Sequence, residues 1–160
     1  MRKCLLLLFC LAVTPLLSAQ VPAPTPFLAH TSADLTQLEA QLKLRAAADP
    51  SGEADRILED QGSNWIVLVA RAHTGEAELS RDWSQEFLVR SGTLTLTYGG
   101  AMTDEHAFGP RVGDFHSATM TGGTSQVLHA GDLMHIPAAT SVWVKIAPGD
   151  SATYLVFKEL

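Results

Sequence analysis

The chain has 160 residues, a formal net charge of −6 and an apolar content of 46%. This length accommodates one domain with a short processing segment, and not two domains. An acidic chain is a poor partner for nucleic acid or for an anionic membrane surface, so both classes of partner are disfavoured. The sequence contains no run of like charges and no internal repeat.

The first residues predict a secretory signal peptide over 1–19. The basic pair Arg2-Lys3 precedes the apolar run Cys4–Leu17, and the small residue Ala19 provides a site suited to signal peptidase. The apolar run has 14 residues and contains a proline, whereas a membrane span needs roughly 20 apolar residues. We therefore expect a secreted or periplasmic protein without a membrane span.

Cleavage after Ala19 would remove both cysteines, Cys4 and Cys10. The mature chain would then have no disulfide and no thiolate chemistry, so its stability would depend on a packed core. Loss of Arg2 and Lys3 would also leave 9 basic residues against 17 acidic ones, a net charge near −8.

The next two segments are predicted as an extended tether over 20–32 and a helix over 33–48. The tether is rich in proline, which disfavours a helix. A hydroxyl cap at Thr31 and leucines at helical spacing, Leu35, Leu38 and Leu42, favour one amphipathic helix. Its expected role is to cover a barrel face or to form a dimer contact.

From Trp65 onward, short alternating segments separated by Gly and Pro predict an all-β domain over 65–160. The polar segment Ala101–Gly113 is long enough to be a flap over one end of a barrel. The predicted strands are Trp65–Ala72, Glu78–Ser80, Glu86–Arg90, Thr93–Tyr98, Phe115–Met120, Ser125–Leu128, Leu133–Ile136, Ser141–Ile146 and Thr153–Phe157.

Two motifs carry a resemblance to a known superfamily. Gln85 is followed after six residues by Gly92, and Gly131 is followed after five residues by Pro137 within the phrase GDLMHIPA. In these spacings the chain resembles the cupins, and more closely the small exported bacterial cupins with an N-terminal helix. The resemblance implies a cupin-type double-stranded β-helix, a jelly-roll barrel with one N-terminal α-helix. It also implies a homodimer that forms through the sheets.

The same alignment of motifs locates the positions at which cupins bind a metal. They carry Glu78, Ser80, Gln85 and Val142 here, where the superfamily pattern has histidines and a glutamate. One carboxylate, one amide, one hydroxyl and an isopropyl group are a poor donor set for Zn²⁺, Fe²⁺ or Ni²⁺. We therefore expect no metal and no other cofactor, although a metal held by substitute ligands stays open.

Strand alternation predicts a shallow, largely apolar pocket with one acid at its mouth. Its predicted lining is Glu78, Ser80, Gln85, Phe87, His135 and Val142. The best catalytic candidates are Glu78 and His135, which could form an acid–base pair. The expected function is non-catalytic, either binding of a small molecule or self-association. A cupin enzyme, metal-dependent with substitute ligands or a metal-free isomerase or epimerase using Glu78, is the alternative.

Four other residues receive simpler predictions. His106, His116 and His129 fall in or beside turns and are expected to be solvated loop side chains. Trp83 is expected at the barrel rim, either as a stacking platform for a ligand or as packing.

Overall fold

The structure, a computed structural model, describes residues 28–109 and 112–160. The predicted signal peptide and most of the predicted tether lie outside the described residues. Among the described helices, none has the length and apolar character needed to cross a membrane.

One helix, α1 (Ser32–Ala48), precedes the sheets and starts one residue before the predicted range. The Thr31 hydroxyl accepts a hydrogen bond from the Asp34 backbone amide at 3.2 Å, and the Asp34 carboxylate accepts one from the Thr31 amide at 3.0 Å. This reciprocal capping box satisfies amides that a helix start leaves without partners. Leu42 and Ala46 are buried against the sheet, so the helix covers a barrel face as expected.

The described residues form twelve strands. They are β1 (Glu53–Asp60), β2 (Asn64–Arg71), β3 (Ala77–Ser80), β4 (Ser84–Tyr98), β5 (Ala101–Thr103), β6 (His106–Ala107), β7 (Asp114–Ser117), β8 (Thr119–Thr121), β9 (Thr124–His129), β10 (Leu133–Ile136), β11 (Thr140–Lys145) and β12 (Ala152–Glu159). The main sheet has the order β1-β2-β12-β4-β11-β3-β7-β6, with β9 and β10 also paired to β4, and every pairing is antiparallel. The predicted all-β jelly-roll class with one helix is confirmed.

Strand β4 joins the two faces of the barrel. Its first half pairs with β12 and β10, and its second half pairs with β11 and β9. The predicted strands Glu86–Arg90 and Thr93–Tyr98 are therefore one strand that bends at Gly92. Gly92 has φ +77°, and a Cβ atom there would lie 2.0 Å from the Ser151 carbonyl oxygen. Only glycine suits this bend, because both the backbone conformation and the close approach exclude a side chain.

The predicted barrel range of 65–160 leaves out strand β1, which pairs with β2 at the sheet edge. The sequence of β1, EADRILED, lacks the regular apolar alternation by which a half-buried strand is recognised. An edge strand is solvated along one side, so it tolerates such a charged sequence.

The core has two layers separated by the sheet that contains β2, β12 and the first half of β4. Alternate residues of these strands face either the helix or the barrel interior. The helix side packs Leu68, Ala70 and Leu155 against α1. The interior packs fourteen buried residues: Val67, Val69, Phe87, Val89, Leu94, Leu96, Leu128, Ile136, Val142, Val144, Ile146, Ala152, Tyr154 and Val156.

Candidate functional site

A cavity of about 350 Å³ lies inside the barrel, above the packed interior. Strands β1, β2, β4 and β12 provide one wall, and β3 and β7 provide the other. Phe108 and Gly109, from the segment predicted as a flap, also line it. The full lining is Glu53, Asp55, Ile57, Trp65, Val67, Val69, Glu78, Leu79, Ser80, Gln85, Phe87, Phe108, Gly109, Asp114, Phe115, His116, Tyr154, Val156 and Lys158.

One end of the cavity is built around Arg71, whose side chain is only 2% exposed. Its Nη2 atom lies 2.8 Å from Glu53 Oε2 and 2.5 Å from Glu78 Oε1, and its Nε donates to the Tyr154 hydroxyl at 2.9 Å. One guanidinium therefore binds two carboxylates from different strands and a buried phenol. Such a network is stable only while all its members are present, because each would otherwise be a desolvated polar group.

Burial shifts the pKa values of this network. Desolvation raises the pKa of the Glu53 carboxyl to about 7; nearby Arg71 opposes this rise and the Glu78 carboxylate adds to it. Burial also raises the pKa of the Tyr154 hydroxyl, which therefore stays protonated. Burial disfavours the charge of Arg71, but Tyr154, Glu78 and Glu53 outweigh it and raise the pKa of Arg71.

The other end of the cavity is built around Lys158. Its Nζ donates to the Ser80 Oγ at 3.0 Å and lies 3.4 Å from Asp114 Oδ2. The Ser80 hydroxyl in turn donates to Asp114 Oδ1 at 2.7 Å. Ser80 and Asp114 are opposite each other in the register of β3 and β7, which explains their contact. The charge of Lys158 is therefore balanced by Asp114.

Gln85 lies beside this cluster, opposite Lys158 in the register of β4 and β12. Its side chain lines the cavity, and the residue is only 2% exposed. Within the part of the chain that the structure describes, no hydrogen bond involves the Gln85 side-chain amide. Buried amides are almost always hydrogen-bonded, so an amide that faces a cavity without a protein partner is suited to a ligand or to water.

His116 also lines the cavity, which contradicts its prediction as a solvated loop residue. It lies on β7, its ring stacks on Phe108 with centroids 3.6 Å apart, and its Nδ1 is 3.5 Å from Glu76 Oε2. Burial lowers the pKa of His116, although Glu78 and Glu76 oppose that effect. The alternation of Asp114 and His116 along a strand is the signal that could have placed both inside.

The positions at which cupins hold a metal do not fit a metal in this chain. Glu78 is the ion-pair partner of Arg71, so a divalent cation would have to compete with a guanidinium. Val142 lies opposite Glu78 in the register of β11 and β3 and is fully buried in the apolar core. Ser80 is committed to Asp114 and Lys158. Among the described residues, no three or more His, Cys, Asp or Glu side chains are arranged to hold a metal ion.

The predicted pocket residues divide into three groups. Glu78, Ser80, Gln85 and Phe87 do line the cavity, whereas Val142 is buried in the core and is not part of its lining. The prediction for His135 is wrong: its side chain is 57% exposed, and its Nδ1 lies 2.7 Å from Glu86 Oε1 on the outer face.

The error at His135 has a simple physical reason. Strand alternation puts His135 on the same face as the apolar residue Leu133, which favours an inward orientation, but Leu133 is itself 63% exposed. His135 is opposite Glu86 in the register of β10 and β4, and Glu86 alternates with the inward residues Gln85 and Phe87. A catalytic pair of Glu78 and His135 is therefore excluded by their positions. Trp83 is only 5% exposed, which agrees with packing at the rim and not with an open stacking platform.

No protein-family model matches the sequence, and no curated protein sequence matches it. Solved structures do match. The cupin domain of Schizosaccharomyces pombe Cnp3 has 10% identity and a TM-score of 0.49, with 67% of this chain and 60% of that chain covered. A cupin superfamily protein from Desulfitobacterium hafniense has 12% identity and a TM-score of 0.48, with 68% and 77% covered.

KdgF from a Halomonas species has 14% identity and a TM-score of 0.47, with 70% of this chain and 83% of that chain covered. At sequence identities this low, similarity between two structures does not indicate a shared activity. Within the described residues, the antiparallel sheets and the one helix, α1, agree with the all-β class predicted from the sequence.

Proposed function

We propose that this chain is an exported cupin-fold protein that binds a small, largely apolar molecule in the barrel cavity, without a metal and without catalysis. The single observation that carries the proposal is Gln85, a buried amide that faces the cavity and has no partner among the described residues. A ligand in the cavity could hydrogen-bond to this amide without displacing a partner from the described part of the chain.

The cavity has the size and composition of a binding site. Its volume of about 350 Å³ lies within the range of roughly 300–1,000 Å³ for small-molecule pockets. Aromatic and branched side chains form its middle, among them Trp65, Phe87 and Val156. Polar groups converge only at its two ends, which is the arrangement that orients a ligand with an apolar body.

The contacts of Glu78 support a binding role over a catalytic one. Its carboxylate is 2.5 Å from Arg71, so its charge serves to balance a buried guanidinium. The same contact is the reason that the proposal includes no metal. Glu78 is the one carboxylate among the four expected ligand positions, and it is already paired with Arg71.

The second candidate is a metal-free isomerase or epimerase, and His116 is the observation that favours it. This histidine lines the cavity, and burial lowers its pKa so that the neutral imidazole is favoured at neutral pH. A neutral imidazole can accept a proton from a bound substrate. In this scheme His116 is the base, and the negative charge of Glu78 stabilises the protonated form of His116.

Export and self-association complete the proposal. The secretory pattern of residues 1–19 and the acidic mature chain support a secreted or periplasmic location. A homodimer is suggested by the resemblance, and strands β9 and β10 each expose an apolar side chain, Val127 and Leu133 respectively. Sedimentation of the mature protein over a range of concentrations would test the dimer.

The binding proposal is tested with a fragment screen on the mature protein, followed by calorimetric titration of the hits. We expect neutral and charged fragments with an aromatic or aliphatic body to bind the wild type and to lose about tenfold in affinity in Gln85→Leu. Gln126→Leu, on the exposed strand β9, is the matched control and should bind normally.

Three results would count against the proposal. A screen without hits, or hits that bind Gln85→Leu equally well, would exclude this cavity as the binding site. Stoichiometric metal in the purified protein that disappears in Glu78→Ala would favour a metal-dependent cupin. Turnover of a bound fragment that is lost in His116→Ala would favour the metal-free enzyme.

A further inference from the structure

The side chains that surround the cavity include more carboxylates than cationic groups. Four carboxylates line it, on Glu53, Asp55, Glu78 and Asp114, and Lys158 is the one lysine or arginine among the described residues of this lining. Arg71 contributes a second positive charge from behind the wall. Lys158 is paired with Asp114, so the imbalance is confined to the end where Arg71 lies.

At that end one guanidinium contacts two carboxylates. Arg71 can compensate the charge of either Glu53 or Glu78 but not of both, and Asp55 lies on the same strand face as Glu53. Asp55 is exposed at the rim, and no ion pair involves it among the described residues. When Glu53 is ionised, this end of the cavity therefore carries two negative charges in excess.

The acidic end continues into a second, more open groove of about 530 Å³. Glu53, Asp55, Phe108 and His116 line both spaces. The groove adds another carboxylate, that of Glu76, which is 43% exposed. A molecule that enters the cavity through the groove passes the carboxylates of Glu53, Asp55 and Glu76, with Arg71 as the one lysine or arginine among the described groove residues. The excess of carboxylates favours the approach of a cation.

We propose that the ligand of this cavity is an organic amine, with its ammonium group at Glu53 and Asp55 and a hydrogen-bonding group at the opposite end, on Gln85. The inference deepens the binding function proposed above and depends on it. The aromatic and branched residues between the two ends accept the apolar body of such a molecule, and the faces of aromatic rings also attract ammonium groups. The unpartnered Gln85 amide is independent of the acidic residues and points to an occupant of the same cavity.

An inorganic cation would explain these features less well. Zn²⁺, Mg²⁺ and Ca²⁺ need at least three converging donors, and no such group exists among the described side chains. A small ion would also leave the apolar middle of the cavity and the distant Gln85 amide unused. An amine on an aliphatic or aromatic body contacts all three regions together.

Three probes of the same shape and different charge test the inference: phenylbutylamine, phenylbutanol and phenylbutyrate. Each is titrated calorimetrically into the mature wild-type protein at pH 8, where the Glu53 carboxyl is ionised. We expect the amine to bind about tenfold more tightly than the alcohol, and the carboxylate more weakly than both. This comparison uses the wild type alone, so it does not depend on the folding of a variant.

Two variants test whether the carboxylates of Glu53 and Asp55 cause the preference for the amine. The double variant Glu53→Gln, Asp55→Asn should lose the preference for the amine and bind the alcohol as the wild type does. Glu86→Gln removes a carboxylate from the outer face of the same barrel and should keep the preference.

The outcomes separate the two proposals. Equal or tighter binding of the alcohol or the carboxylate would overturn the inference and leave cavity binding standing. Retention of the preference in the double variant would overturn it as well. If none of the three probes binds, the inference that the ligand is an amine is overturned. The fragment screen and the Gln85→Leu variant then decide whether the cavity binds any small molecule.

Discussion

Arg71 Nη2 lies 2.5 Å from Glu78 Oε1, so the carboxylate at the expected metal position is an ion-pair partner of a buried guanidinium. This contact connects the carboxylate at the expected metal position to the stability of the fold. A cation from the protein's own chain occupies the role that a metal would have at this carboxylate, namely compensation of its charge. Loss of that cation has predictable consequences.

We predict that Arg71→Ala lowers the free energy of unfolding by about 3 kcal/mol. The substitution leaves Glu53, Glu78 and the Tyr154 hydroxyl desolvated without their common partner, and breaking a buried ion pair is strongly destabilising. Urea unfolding followed by tryptophan fluorescence measures the change. Arg81→Ala removes an exposed partner of Glu105 and should cost under about 1 kcal/mol. Similar values for the two variants would contradict this account.

We predict a pH dependence of stability that comes from Glu53. Its folded-state pKa is raised to about 7 from 4.5, chiefly by burial, with Glu78, Asp55 and Asp49 adding to the rise and Arg71 opposing it. The folded state therefore holds a proton that the unfolded state has released between these two values. Stability from this group is fully present below pH 4.5 and is lost as the pH rises through 7.

The change should be about 1 to 2 kcal/mol, since the Glu53 side chain is 33% exposed and solvent screens part of the effect. Unfolding of the wild type and of Glu53→Gln at pH 4.5, 6 and 8 measures it as the difference between the two proteins. This difference isolates Glu53 from His116, whose lowered pKa acts in the opposite direction, with stability lost as the pH falls. A constant difference across the pH range would contradict the prediction.

We predict that Gln85→Leu stabilises the protein without ligand by about 1 kcal/mol. Leucine has nearly the same volume and removes a buried amide that has no protein partner in the described chain. The thermal midpoint should rise by a few degrees. A variant that is both more stable and weaker in ligand binding would show that the amide serves the ligand. Destabilisation would instead indicate that the amide has a structural hydrogen bond.

Much of the fold was predictable because alternation and turn residues are local properties of the sequence. Phe87 was predicted to face the interior and is buried there. The site was predicted less well, since it depends on strand partners that local patterns do not specify. Alternation along its strand predicted an inward His135, but the register with β4 puts it opposite Glu86 on the outer face.

The acidic end of the cavity was missed for a related reason. Glu53 and Asp55 belong to a strand whose charged sequence does not show the period of a half-buried strand. Only pairing with β2 brings Glu53 opposite Arg71, and Arg71 itself looked like the end of an apolar run. The sequence therefore gives no sign that Glu53 and Arg71 form an ion pair.

We predict that Gly92→Ala is strongly destabilising. Gly92 and Gly122 have similar backbone angles, φ +77° and +72°, so alanine at either position pays the same conformational cost of about 1 to 2 kcal/mol. At Gly122 a new Cβ atom meets nothing within 4 Å, whereas at Gly92 it lies 2.0 Å from the Ser151 carbonyl oxygen. The two variants therefore differ only in the steric clash.

The clash lies where β4 passes from one face of the barrel to the other, so its relief requires β4 and β12 to separate. We expect Gly92→Ala to cost about 2 kcal/mol more than Gly122→Ala, beyond their common conformational cost. Thermal unfolding of both variants under the same conditions measures the difference. Equal midpoints would mean that the strands separate easily at this point, and the bend of β4 would then not depend on the absence of a side chain at Gly92.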